Sequence, residues 1–280
     1  MAAKINILVG IDWQTDFVSP NGALYVKDAE KSAERLATFV HKYGSTLFED
    51  IALTLDSHQP LHIAHAAMWI DKHGAHPAPY TTILADEVGK KWFSAREPWK
   101  DYGREYTSQL EKSNRFKLMI WPDHCLIGLS GHNVFPALAD ELYSWTRKLG
   151  KTINFLTKGS DPFTEHYSAV RAEVPFLGGN GYEPDPGTQT NLSWLNMLAQ
   201  YDNVVFTGQA LSHCVRFTLE DTIAQFGADA AKKIIVVRDL SDCVVTSAYD
   251  FTPETEVWLK TIQQQGIAVV QSSELPKLLR

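Results

Sequence analysis

Residues 203–223 read NVVFTGQALSHCVRFTLEDTI. The β-branched run Val204, Val205, Phe206 meets Gly208 and a polar turn, and apolar residues then recur at Val215, Leu219 and Ile223, the spacing of one helical face. The stretch predicts a strand, a tight turn and a helix, with Cys214 at the helix mouth. A helix start offers unpaired N–H groups and the positive end of the dipole, which favour a thiolate over a thiol; a nearby ammonium adds to this. Most free cysteines are small core hydrophobes, so Cys214 becomes a candidate nucleophile only through its surroundings.

Outward from this stretch the chain alternates. The continuous apolar run 5–11 has the character of a strand buried on both faces and delivers Asp12 at its end. Residues 29–43 carry a helical period, 51–55 form a second strand ending at Asp56, and 134–148 read as an amphipathic helix. Strands follow at 153–157, ending at Lys158, and at 204–207, 234–237 and 267–270, with helices at 192–200 and 253–265. A further short strand is expected at 116–120, and a loop rich in Gly, Pro and Asn at 176–190. Between about 60 and 117 the alternation breaks into an aromatic, proline-punctuated stretch holding Trp69, Trp92, Trp99 and Tyr102, with 97–112 as its helical part. It reads as an insertion beside the ligand crevice, able to reshape a pocket or to form an oligomer interface. The fold expected is α/β: a single domain spanning 1–280, doubly wound in three layers, with a mostly parallel sheet and helices on both faces.

Composition excludes several function classes. A 280-residue chain with 44% hydrophobic and 21% charged residues is ordinary for a globular protein. Its net charge of −7, with Lys and Arg gathered on no one face, argues against a nucleic-acid or anionic-membrane partner. No stretch approaches the ~20 apolar residues of a membrane span. The N-terminal apolar run is too short for a signal peptide, and three cysteines without disulfide-like spacing suit a reducing compartment. The expectation is a cytoplasmic enzyme of a small molecule, working as a homo-oligomer.

In parallel sheets ligands lie beyond the carboxyl ends of the strands. There the sequence offers Asp12, Asp56, Lys158 and, past Gly208, Cys214. Any one of these could be a structural partner. Asp12, Lys158 and Cys214 together are better explained by chemistry: a base for the thiol proton, a cation beside the thiolate, and a turn at 209–214 whose N–H groups can receive an oxyanion. The reaction such a trio performs is amide hydrolysis through an acyl-enzyme. A second constellation is metal-like. Asp56 and His58 alternate onto one side of an extended segment, and His124 follows in WPDHC; one carboxylate and two imidazoles leave positions open, as catalytic sites do. Of the ten histidines, His62 and His65 are further candidates, whereas His73, His76 and His132 read as surface or core residues.

The segments ILVGIDWQTDF (7–17), LTLDSH (53–58), WPDHC (121–125), KGSDP with YS (158–162, 167–168) and TGQALSHCVRFTLED (207–221) resemble, in order, the marks of the nicotinamidase-like branch of the isochorismatase-like cysteine hydrolase superfamily. The resemblance implies a six-stranded parallel sheet and a catalytic Asp12, Lys158, Cys214 triad. It implies a divalent metal, zinc in many members, on Asp56, His58 and His124. It also implies a cis peptide at Gln209–Ala210, an oxyanion hole from the N–H groups of Ala210 and Cys214, and substrate walls from Phe17, Trp121 and Tyr167. The activity implied is hydrolysis of nicotinamide to nicotinate and ammonia. The alternatives are another small amide, carbamoyl or ureido substrate or, at the far end, a non-catalytic binding protein on the same fold. Isochorismatase chemistry itself does not call for the thiol.

Overall fold

The computed structural model describes residues 4–94, 100–113, 115–176, 185–246 and 249–280. Trp99, the first residues of the expected 97–112 helix and the middle of the 176–190 loop lie outside them. Six parallel strands form the central sheet: β1 (Asn6–Ile11), β2 (Asp50–Asp56), β3 (Asn154–Lys158), β4 (Asn203–Gln209), β5 (Ile234–Asp242) and β6 (Ala268–Val270). Their order is β6-β5-β4-β1-β2-β3. The chain starts in the middle, winds outward through β2 to β3, then returns beside β1 and winds the other way. With right-handed crossovers, that reversal sends helices to both faces.

Burial explains the apolar runs. All six β1 positions are buried, as are the last six of β4, so neither strand alternates. Five helices flank the sheet: α1 (Ala29–Phe39), α3 (Pro136–Leu149), α4 (Leu192–Ala199), α5 (Arg216–Ala230) and α6 (Thr252–Gln264). Helix α1 packs on α3, and α4 packs on α5. The helical period expected over 29–43 continues past α1 through a wider turn, Val40–Gly44, to Leu47. No helix among the described residues is long and apolar enough to cross a membrane.

The aromatic stretch forms its own small elements. Trp69–Ile70 pairs with Phe93–Ser94 and Thr82–Ile83 with Leu118–Met119, both antiparallel, and α2 spans Lys100–Lys112. The strand expected at 116–120 therefore shrinks to Leu118–Met119 and stays out of the main sheet. Two paired residues suffice there because Trp69, Trp92, Tyr106 and Leu118 join the same buried cluster as the sheet, and burial rather than pairing holds them.

Register carries the function. Ile11 lies opposite Gly208 across β1 and β4, and Asp56 opposite Lys158 across β2 and β3. Four neighbouring strands thus end at one level, in the order β4, β1, β2, β3. Gly208 is needed for the first pairing: it has a φ of 139°, and a Cβ there would lie 2.2 Å from the Ile11 carbonyl oxygen. Gly208→Ala should therefore cost about 1–3 kcal/mol, read as a lower urea midpoint. An unchanged midpoint would show that the two strands can part.

Candidate active site

Asp12 follows β1 with a φ of 48°, which turns its carboxylate back over the strand ends. Its Oδ1 accepts from the Thr54 hydroxyl at 2.5 Å, and the Asp12 N–H donates to Thr54 Oγ1 at 3.0 Å. Lys158 Nζ lies 2.9 Å from Asp12 Oδ2 and 3.0 Å from Asp56 Oδ1, donates to the His166 carbonyl at 3.0 Å, and stands 3.6 Å from Cys214 Sγ. All four residues are buried. One ammonium thus links both carboxylates and the sulfur.

The charges follow from burial and neighbours. Burial opposes the Lys158 charge, but Asp12 and Asp56 outweigh it and hold the ammonium well above its usual range. Burial raises Asp12, with Lys158 pulling the other way. Asp56, although buried, is held well below the carboxylate range by His58 and Lys158. Burial pushes the Cys214 thiol well up; Lys158 opposes this, and Asp12 and Asp56 add to it. A five-residue helical turn, Leu211–Val215, holds Cys214 and runs directly into α5; there burial and the two carboxylates work against the thiolate that the helix start and Lys158 favour.

The turn is tightly braced. The Gln209–Ala210 peptide is cis. Gln209 Nε2 donates to Asp242 Oδ2 at 2.9 Å, and the N–H groups of His213 and Val215 donate to the Ala210 carbonyl at 3.0 and 3.1 Å. Ala210 and Cys214 line a cavity together with Phe17, Leu24, Val26, Trp121, Tyr167 and His213. Trp121 Nε1 donates to the Tyr167 hydroxyl at 2.8 Å, and His213 meets both rings edge-on, with centroids 5.6 and 5.5 Å away. Tyr167→Phe leaves the buried indole N–H unpaired, a loss of about 1–3 kcal/mol. The expected readout is a KM raised well above that of the wild type with kcat little changed; a lowered kcat at constant KM would contradict it.

Asp56 and His124 line the same cavity, and Asp56, His58 and His124 form one group. Three of their ligand-type atoms lie within 4.8 Å of one another. His58 Nδ1 lies 3.0 Å from the Gly159 carbonyl and His124 Nδ1 2.8 Å from that of Pro122. Carbonyl oxygens only accept, so each Nδ1 bears the proton and each Nε2 is the atom turned to Asp56, at 3.0 and 3.5 Å from Oδ2. Two oriented imidazoles and a carboxylate fit a divalent ion such as zinc. The two extra histidines differ. His62 is spent: Nδ1 accepts from the Ala64 N–H at 3.2 Å, and Nε2 donates to the Thr164 carbonyl at 3.1 Å. His65 Nδ1 donates to the Gln59 carbonyl at 3.1 Å, and its buried Nε2 has no hydrogen-bond partner among the described residues.

Of the residues singled out from the sequence, Phe17, Asp56, Trp121, His124, Tyr167, Ala210 and Cys214 line the cavity, Lys158 and His58 lie against Asp56, and Asp12 lies against Lys158. Sequence reading missed Thr54, whose hydroxyl aims Asp12. It also missed Gln14, whose amide receives the Asp56 N–H at 2.7 Å and donates to the Asp56 carbonyl at 2.7 Å, and Glu165, a buried carboxylate in the cavity wall. The alternation of β2, which points Thr54 and Asp56 the same way, was the available signal for the first. Nothing local marks the other two.

No family model matches the chain. A curated relative, the nicotinamidase of Saccharomyces cerevisiae, is 23% identical over 235 residues, which cover 84% of this chain and 88% of the relative. A solved nicotinamidase–pyrazinamidase of Acinetobacter baumanii superposes with a TM-score of 0.62 at 23% identity, covering 98% of this chain and 100% of its own. The yeast nicotinamidase structure gives 0.62 at 22%, covering 95% and 99%. A Pyrococcus horikoshii pyrazinamidase solved in complex with zinc gives 0.54 at 19%, covering 95% and 98%. These superpositions establish the shared fold. With the curated relative spanning most of both sequences, and the five ordered motifs meeting at one cavity, the chain is similar over most of its length to nicotinamidases of the isochorismatase-like cysteine hydrolases.

Proposed function

We propose that the protein is a metal-assisted cysteine amidohydrolase of a small aromatic carboxamide, nicotinamide first among them. The observation that carries the reading is the Lys158 ammonium, 3.6 Å from the Cys214 sulfur and 2.9 Å from Asp12, behind a cavity that Cys214 lines together with aromatic side chains. Asp12 takes the thiol proton as Sγ attacks the amide carbonyl carbon, and the carbonyl π pair moves onto oxygen, received by the N–H groups of Ala210 and Cys214. The tetrahedral species collapses with loss of the C–N bond. Asp12 returns its proton to the nitrogen, and ammonia leaves. Asp12 next takes a proton from water attacking the thioester, and the acid departs as the sulfur regains a proton. Lys158 favours the ionised form of Asp12 ahead of each proton transfer and stands beside the sulfur.

Phe17, Trp121 and Tyr167 hold the ring. Asp56, His58 and His124 would hold a divalent ion, zinc by their donor chemistry, which when bound supplies a Lewis acid toward a donor atom of substrate or water. Three free, buried cysteines suit a reducing compartment, the cytoplasm. The test is ammonia release from nicotinamide by zinc-loaded protein, expected at ~1–10³ s⁻¹. Release from a carbamoyl or ureido compound and not from nicotinamide would move the substrate class. Release from none of them would sink the reading.

A further inference from the structure

Glu165 lines the cavity beside Asp56 and His124, is only 3% exposed, and has no part in the chemistry above. Its Oε1 accepts the His166 N–H at 3.0 Å, while Oε2 has no hydrogen-bond partner among the described residues. An acceptor buried without a partner is costly. Its position is nevertheless enforced. The Glu165 N–H donates to the Tyr106 hydroxyl at 3.0 Å, and Tyr102 Oη donates to the Phe163 carbonyl at 2.7 Å; both tyrosines come from α2, in the aromatic stretch. On the other side the Thr164 carbonyl accepts from His62, whose ring lies 4.4 Å from that of His58.

The charges give this carboxylate a purpose. Of the groups lining the cavity or joined to its lining through the Lys158 ion pairs, Asp12, Asp56 and Glu165 are acids and Lys158 is the cation, with the imidazoles neutral, as metal ligands must be. The sum is −2, which a divalent ion cancels. Without Glu165, ion and protein together would leave a net positive charge in a site shielded from water.

We infer that Glu165 supplies the third negative charge of the ion site and sets how tightly the ion is held, and that α2 keeps it there through Tyr102 and Tyr106. The inference rests on the metal reading of Asp56, His58 and His124. It gives the aromatic stretch a role in the site: α2 buttresses the segment opposite the metal ligands.

The experiment measures Zn²⁺ affinity of chelator-stripped protein by competition with a chromophoric chelator, for wild type, Glu165→Gln, Glu165→Asp and Asp56→Ala. Glu165→Gln keeps the acceptor for the His166 N–H and should weaken Zn²⁺ about 10- to 100-fold, while the metal-free protein melts no lower than wild type. Glu165→Asp keeps the charge and should recover part of that loss. Wild-type affinity in Glu165→Gln, whether KM for the amide rises or not, overturns the inference and leaves the ion site standing if Asp56→Ala has lost Zn²⁺. A wild type that binds no Zn²⁺ overturns both.

Discussion

Cys214→Ala lowers ammonia release by at least about 10⁴-fold and leaves the fold in place. The size follows from the division of labour: without the sulfur, Asp12 and the turn can only assist direct attack by water, and loss of a nucleophile costs about as much as loss of a whole triad. The fold survives because the alanine keeps the Cβ, and the bracing of the turn runs through Gln209, Asp242 and the Ala210 carbonyl. Steady-state rates with a thermal melt beside them check both halves. Wild-type ammonia release from a folded variant would remove Cys214 from the mechanism.

Lys158→Met destabilises the metal-free protein by about 3–5 kcal/mol near neutral pH, because it leaves two buried carboxylates facing one another without their cation. Its pH dependence has a definite sign. Lys158 lowers both Asp12 and Asp56, so without it the folded pKa of Asp12 rises further above its unfolded value and that of Asp56 rises back toward its own. A carboxyl raised on folding contributes stability at low pH that is lost as pH rises through the folded pKa. The deficit of the variant should therefore shrink on acidification. Urea titrations of wild type and variant at neutral and mildly acidic pH test this; a deficit independent of pH would mean that Lys158 acts through packing alone.

Much of the site was legible because the parallel-sheet rule needs only the last residue of each strand. Asp12, Asp56, Lys158 and the turn before Cys214 each follow an apolar run, and the register Asp56 with Lys158 brings them to one level. What escaped reading depends on partners far along the chain. Choosing between His62 and His65 required the carbonyls of Thr164 and Gln59, which fix where each ring proton sits. Glu165 matters because a tyrosine 59 residues away anchors its backbone. How far burial works against the thiolate at Cys214 depends on the packing of the whole site, a quantity no local pattern carries. The aromatic stretch showed no period because, among the described residues, its elements apart from α2 are two or three residues long and are held by burial.

The most direct measurement is peptide mass spectrometry of enzyme quenched in acid during steady-state turnover of nicotinamide. The account predicts the pyridine-3-carbonyl group as a thioester on Cys214, present in wild type and absent from Cys214→Ala. Ammonia release at full rate with no acyl group on Cys214, under quench conditions that preserve a synthetic thioester, would contradict it.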